Sequence, residues 1–237
     1  MVRGGPLTFP GSVGSGYCQP GVRFEVNTMK RLLSILLPAL LLPALALADP
    51  AYQEGREYKR IIPEQPTSSG GKVEVVELFW YGCPHCHRFQ PFVEQWLKTK
   101  PDNVAFVRMP AILRESWTLL ARAYYTAEVL GKIEEIHLPL FNAIHDEKRR
   151  FTTEKSLSEF FAEHGIPPED FRKAYHSFAV DTKVRRARLM TKRYQTQGTP
   201  TVVVNGKYRS DPGMTNGFAG LIGVIDYLAK IESGEQP

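Results

Sequence analysis

From Lys72 the chain carries a nearly continuous apolar run, Val73, Val75, Val76, Leu78 and Phe79. It is rich in β-branched residues and predicts a central strand covered on both faces. Beyond Gly82 the apolar period lengthens to three and four. Cys86, Phe89, Phe92 or Val93, Trp96 and Leu97 then share one side of a helix. That helix should begin near Cys83 or Pro84, because proline is accepted in a first turn, where its missing N–H is not needed. Pro91 lies inside the pattern and is expected to kink the helix without ending it. Pro101-Asp102-Asn103 marks a turn, and Val104 to Met109 a second strand, parallel to the first through a crossover and closed by Pro110.

The middle of the chain has helical periodicity. Trp117 to Gly131 carries Leu119, Leu120, Ala123, Tyr124, Ala127 and Leu130, with Gly131 as the stop. Helices are also expected from Ile133 to His145, from Thr153 to Gly165 with Thr153 or Ser156 as cap, and from Pro168 to about Tyr194. Strand patterning returns at Thr201-Val202-Val203-Val204. Asn205-Gly206 is a strong hairpin signal, with Lys207-Tyr208-Arg209 returning. A closing helix spans about Phe218 to Ile231, with Leu221, Ile222, Val224, Ile225 and Leu228 inward. Ahead of all this, Tyr52, Tyr58, Ile61 and Ile62 can form a short first strand, followed by a flexible turn at Thr67 to Gly71. The order β, βαβ, helices, ββα describes an α/β domain split by a helical insertion.

At 237 residues and 43% apolar composition, the chain can bury a full core. The net charge of +5 is modest, and most of it lies in the first 48 residues, where Arg3, Arg23, Lys30 and Arg31 outnumber Glu25. A nucleic-acid partner therefore has little support. From Met29 the layout is that of a secretory signal peptide: Lys30 and Arg31, an apolar run from Leu32 to Leu45, and Ala46-Leu47-Ala48 as cleavage site, with cleavage before Asp49. A membrane anchor is the rival, but the run is short of the roughly 20 residues a spanning helix needs, and Pro38 and Pro43 interrupt it. The 28 residues before Met29 are rich in Gly and Pro, so Met29 is taken as the start of translation. Residues 1–28 are then an upstream extension, 29–48 the signal peptide, 49–114 and 187–237 the two parts of the sheet domain, and 115–186 the insertion. Cys18 is lost on this scheme, leaving Cys83 and Cys86 as a pair in an oxidising compartment.

That pair is the candidate chemistry. Two cysteines one turn apart at a helix start can close a small disulfide. Cys83, at the positive end of the helix, is favoured as a thiolate, and His85 can add positive charge. Zinc ligation by Cys83, His85, Cys86 and His87 is the alternative, but no second distant pair accompanies the cluster, and no metal is expected. Glu77, an acid within an apolar strand, is a functional candidate because buried carboxylates perturb nearby pKa values. Of the aromatic residues before the pair, Phe79 is assigned to the core and Tyr81 to a substrate-binding surface. His87 is assigned as a polar residue of the first helical turn, and His137, His145, His164 and His176 to solvated or capping positions. The basic run Lys183, Arg185, Arg186, Arg188, Lys192 and Arg193 is expected on a solvated helix face, with Val184, Ala187, Met190 and Tyr194 inward.

Phe79-Trp80-Tyr81-Gly82-Cys83-Pro84-His85-Cys86, with Pro91 eight residues past the first cysteine, resembles the active site of the thioredoxin superfamily. Cys-Pro-His-Cys is similar to that of the DsbA family of exported thiol oxidants. The helical insertion, Gly198-Thr199-Pro200-Thr201, the Asn205-Gly206 hairpin and the final helix follow in the family's order. The resemblance implies a thioredoxin fold in which Pro200 is cis and lies, with Thr199, against the redox pair. It implies a buried acid at Glu77 with a basic partner at Arg108, often lysine in relatives, and redox tuning by Pro84 and His85. It also implies no cofactor beyond a Cys83-Cys86 disulfide, periplasmic localisation, and a monomer that oxidises unfolded or folding exported proteins with free thiols. A membrane quinone reductase of the DsbB type would then reoxidise the pair. The rivals are a disulfide isomerase or reductase on the same fold, a peptide-binding chaperone without net redox chemistry, and a glutathione-dependent transferase.

Overall fold

The computed structural model describes residues 52–235; the signal peptide, the upstream extension and Cys18 lie outside the described residues. Five strands form one mixed sheet: β1 (Lys59–Arg60), β2 (Val73–Phe79), β3 (Val104–Pro110), β4 (Thr201–Val204) and β5 (Tyr208–Ser210), in the order β1-β5-β4-β2-β3. β2 pairs parallel with β3 and antiparallel with β4, so it lies inside the sheet, and all seven of its residues are buried, as its unbroken apolar run requires. The register sets Glu77 opposite Arg108 on one side and Val202 on the other. This is the thioredoxin-type α/β architecture with an insertion after β3.

Seven α-helices are described: α1 (Pro84–Leu97), α2 (Thr118–Val129), α3 (Ile133–His145), α4 (Glu154–Glu163), α5 (Pro168–Tyr175), α6 (Phe178–Arg193) and α7 (Gly217–Glu232). α1 is one helix with Pro91 inside it. It buries Cys86, Phe89, Val93 and Trp96, whereas Phe92 is turned outward, which settles the choice between Phe92 and Val93. A 3₁₀ turn over Glu115–Trp117 precedes α2, so that helix proper starts one residue later than its pattern suggested. Thr153 and Ser156 cap α4 reciprocally, each side chain meeting the other's backbone N–H.

The single helix expected from Pro168 to about Tyr194 is two. α5 ends at Tyr175, and Ser177 then caps α6 by accepting from Val180 N at 3.2 Å. A serine in a helix interior satisfies backbone groups in competing ways, and here that competition makes a boundary. The limit placed at Arg186 accordingly falls inside α6, which runs unbroken to Arg193. The hairpin is as the dipeptide indicates. Asn205 and Gly206 both have positive φ, and Lys207 N donates to Val204 O at 3.0 Å. Gly206 has a second reason to be glycine, since a Cβ there would lie 2.0 Å from the carbonyl oxygen of Gln65.

Two apolar clusters flank the sheet. One joins Val75, Phe89, Val93, Trp96, Val202 and the inner face of α7. The other joins Val76, Leu78, Phe79, Tyr81 and Cys86 to the buried faces of α2 through α6. The start of α1 sits at the seam, with Cys86 in the second cluster and Phe89 in the first. The inward positions of α6 are buried as expected, and its basic face is partly paired within the molecule, Lys183 with Glu128 and Arg188 with Glu115.

Candidate active site

The site is built where β2 ends and α1 begins. Trp80, Tyr81 and Gly82 carry the chain off the sheet, and Cys83 N donates to Trp80 O at 2.9 Å, closing the turn. Gly82 is needed there because a Cβ would come within 2.4 Å of the Trp80 indole, which stacks on Trp117 at 4.2 Å with the rings parallel to 1°. Cys83 is the N-cap of α1, in extended backbone conformation with no side-chain capping bond, and Pro84 occupies the first turn. Its sulfur therefore faces the unpaired N–H groups and the positive end of the helix.

The chain returns to this point more than a hundred residues later. The Thr199–Pro200 peptide is cis, and the Cys83 thiol donates to Thr199 O at 3.2 Å. Pro200 is buried, and His85, Gly198, Thr199, Pro200, Thr201 and Asp211 line an open groove beside the pair. Sequence expectations thus place Cys83, Pro84, His85, Cys86, Thr199 and Pro200 together, and the structure brings them together. Asp211 was not among them.

The two sulfurs, both free thiols here, differ in setting. The Cys83 thiol is pushed down to about 5. A hydrogen bond from the Cys86 thiol is the largest cause, helped by the Thr199 side chain and by the backbone N–H groups of Cys86 and His85, and opposed by partial burial. The Cys83 bond to Thr199 O exists only in the neutral thiol, so it does not assist ionisation. Cys86 is fully buried, and burial followed by the neighbouring Cys83 raises it well above the ordinary thiol range.

Glu77 lies on the face of β2 shared with Val75 and is joined to the site through Gln90, whose amide nitrogen also meets Cys86 O. It is wholly buried, and burial pushes its carboxyl up to about 7 against the opposing pull of Arg108 and the hydrogen bond from Gln90. Arg108 is a loose partner: its Nε stands 3.7 Å from Glu77 Oε2, neither atom has a hydrogen-bond partner, and its Nη2 instead donates to Glu94 at 2.7 Å.

Several residues stand elsewhere than expected. Tyr81 is not on the surface; it is 1% exposed, packed edge-on to Phe79, with its hydroxyl 3.0 Å from His137 Nδ1. The backbone beyond β2 turns it inward to fill the space under the insertion. His137 is neither solvated nor capping, being 5% exposed with Nε2 at 3.2 Å from Gln90 Oε1. His145 lies 2.8 Å from Tyr81 O, and His87 stacks on it at 5.0 Å while meeting Asn142 Oδ1 at 3.0 Å. Gln90, which donates to both Glu77 Oε1 at 2.9 Å and Cys86 O at 3.3 Å, was not singled out. The available signal was a polar residue within an apolar helical stripe, which Gln90 in α1 and His137 in α3 both are.

Residues 74–221 match the family model described as a DSBA-like thioredoxin domain. A protein from Burkholderia cepacia named thiol:disulfide interchange protein DsbA is 40% identical over 205 residues, covering 85% of this chain and 97% of that one. Its namesake from Pseudomonas aeruginosa is 39% identical, with 85% and 95% covered. The crystal structure of Pseudomonas aeruginosa DsbA superposes with a TM-score of 0.74 at 39% identity, covering 77% of this chain and 95% of that one. DsbA from Xylella fastidiosa gives 0.72 at 32% identity, with 77% and 98% covered. Agreement of this breadth, centred on a helix that opens with Cys83 and Cys86, places the chain in the DsbA family of thiol:disulfide oxidoreductases.

Proposed function

We propose that the protein is a periplasmic dithiol oxidase that donates a Cys83-Cys86 disulfide to newly exported proteins. The observation that carries this is the asymmetry of the pair: a thiol lowered to about 5 at the open groove and a buried one raised well above its ordinary value. Stabilising the Cys83 thiolate stabilises the dithiol form, which makes the disulfide form a stronger oxidant.

A substrate thiolate attacks Cys83 Sγ, the Cys83–Cys86 bond breaks, and Cys86 leaves as a thiolate. In its buried pocket that thiolate takes up a proton, and Glu77, pushed up to about 7, is the nearby acid able to supply one near neutral pH. Arg108 biases the charge of Glu77 without carrying the proton, because arginine does not release one in this range. A second thiolate of the substrate then attacks the substrate sulfur of the mixed disulfide and expels Cys83 as a stable thiolate. The substrate dithiol has become a disulfide and the protein disulfide a dithiol, with no cofactor needed beyond the cysteines.

Thr199, Pro200, Pro84 and His85 form the rim over which the substrate backbone lies. A membrane quinone reductase of the DsbB type would reoxidise the pair through the same groove, with the protein acting as a monomer. The equilibrium of the Cys83-Cys86 couple with glutathione tests the proposal. A potential near ~ −120 mV supports the oxidase, and one near ~ −270 mV, the thioredoxin value, rejects it in favour of a reductase.

A further inference from the structure

Four buried polar side chains, Tyr81, His137, Gln90 and Glu77, form one hydrogen-bonded line from the insertion to the floor of the redox site. They come from β2, the loop beyond it, α1 and α3. Each is 5% exposed or less. The direction of the line is fixed at one end. Gln90 Nε2 stands 2.9 Å from Glu77 Oε1 and 3.3 Å from Cys86 O, both acceptors, so the amide nitrogen faces them and Oε1 is left for His137. An amide oxygen only accepts, so His137 carries its hydrogen on Nε2 and presents a bare Nδ1, to which the Tyr81 hydroxyl donates. Burial supports these roles, holding His137 neutral and Tyr81 protonated.

We propose that His137 is a positioning residue for the redox reaction: by donating to Gln90 Oε1 it holds the amide with its N–H groups toward Glu77 and Cys86 O, and so sets how readily Glu77 gives up its proton. Without that donor the amide can turn over and present its oxygen to Glu77, an arrangement that favours the protonated acid. Gln90 is the hydrogen-bond donor to the Glu77 carboxylate among the described residues, and Glu77 Oε2 has no hydrogen-bond partner, only Arg108 Nε at 3.7 Å. The other titratable or charged groups around Glu77 are Arg108 on β3, Glu94 and Cys86 on α1, and Tyr124 on α2. Of these, only Cys86 touches the Gln90 amide, through its backbone carbonyl on the nitrogen side, so His137 is the side chain that holds the oxygen side. The insertion thus reaches the chemistry through one imidazole. This rests on the proposed proton-donor role of Glu77 for its consequence, though not for its geometry.

The test is the titration of the Glu77 carboxyl, followed by carbon NMR in the dithiol protein. His137→Phe should move the midpoint upward from about 7 by about one pH unit, a tenfold fall in the carboxylate-to-acid ratio at fixed pH. Tyr81→Phe, which keeps the ring and the packing, should move it in the same direction by less. His137→Gln, which can accept from Tyr81 and donate to Gln90, should restore most of the parent midpoint. An unchanged midpoint in folded His137→Phe overturns the proposal; should that variant fail to fold, an unchanged midpoint in Tyr81→Phe does so instead. The proton-donor role is read separately, from the pH profile of disulfide exchange in Glu77→Gln. A parent-like profile there removes that role while leaving the titration result standing.

Discussion

Cys83 and Cys86 lie one turn apart on a single helix, yet the regions around them are built on opposite principles. Around Cys83 the protein offers hydrogen bonds from a helix start, the Cys86 thiol and the Thr199 side chain, beside an open groove, and these accommodate negative charge. Around Cys86 it offers an apolar pocket from which charge is excluded, floored by an acid that is itself mostly deprived of partners. The sheet half supplies the first environment entirely. The second is shared, because α3 supplies His137 and packs Phe141 against Tyr81. Poise in this site is a difference between two neighbourhoods three residues apart, and changes to either should be separable.

The largest effect comes from deleting the sulfurs one at a time. Cys83→Ala should abolish disulfide donation, since the buried Cys86 cannot be reached by a substrate. Cys86→Ala should keep the nucleophile and accumulate mixed disulfides with substrate proteins, visible by non-reducing electrophoresis and mass spectrometry. Accumulation in the first variant and not the second would reverse the assignment of roles.

Next in size is the pH dependence of dithiol stability, where the groups of the site act in different windows. Cys83, lowered from 9.0 to about 5, contributes stability that is fully present above pH 9 and lost as pH falls through about 5. Glu77, raised from 4.5 to about 7, contributes stability that is present below pH 4.5 and lost as pH rises through about 7. The two oppose each other between about pH 5 and 7, and Cys83 acts without that opposition from 7 to 9. Cys86, raised well above 9.0, acts only beyond that range. His137, held neutral by burial, adds a contribution that rises only up to about pH 6.5, so denaturant unfolding of the dithiol form should show the Cys83 rise by itself between pH 7 and 9. The slope should be at most about 1.4 kcal/mol per pH unit, reduced by solvent screening at the groove. Cys83→Ser should flatten that rise, and a rise that survives it would place the charge elsewhere.

Removing the acid probes the other neighbourhood. Glu77→Gln should stabilise the protein at pH 8 by about 1–3 kcal/mol, because an ionised carboxylate with a distant partner is costly to bury. At pH 5, where Glu77 is already neutral, the gain should nearly vanish. Absorbance of the Cys83 thiolate near 240 nm should shift little in this variant. A large shift would mean that the two neighbourhoods are not separable.

How much of this was legible beforehand depends on how far apart in sequence the interacting residues lie. β2, α1, β3 and the hairpin follow from periodicity and turn residues, since each is dictated by local pattern. The Cys83 environment follows too, because a helix start and its charge are local, and the family resemblance supplied Thr199 and Pro200. The Cys86 environment does not. Tyr81 and His137 are 56 residues apart, and His137 and Gln90 47 apart. No local rule couples such positions, so the sequence pattern points Tyr81 to the surface and His137 to a solvated or capping position. Glu77 was visible because a charge in a buried strand is conspicuous, whereas a histidine or glutamine in an amphipathic helix is not. The division between α5 and α6 is hidden for another reason: Ser177 caps α6 in a stretch whose apolar spacing continues across the break.

The smallest effect tests whether the insertion acts on the chemistry through α3 or through its general rigidity. Thr153 accepts from Ser156 N at 3.2 Å, and Ser156 Oγ donates to Thr153 O at 2.8 Å, in a cap at the start of α4 that touches none of the groups around either sulfur. Thr153→Ala should cost about 1 kcal/mol, a fall in melting temperature of roughly 2–4 °C for a chain of this size. It should leave the Cys83 midpoint and the exchange rate at their parent values. If this loosening of α4 shifts the Cys83 midpoint, the insertion governs the site by its overall stability. If the midpoint holds while the melting temperature falls, its influence passes through the polar line that ends at Glu77.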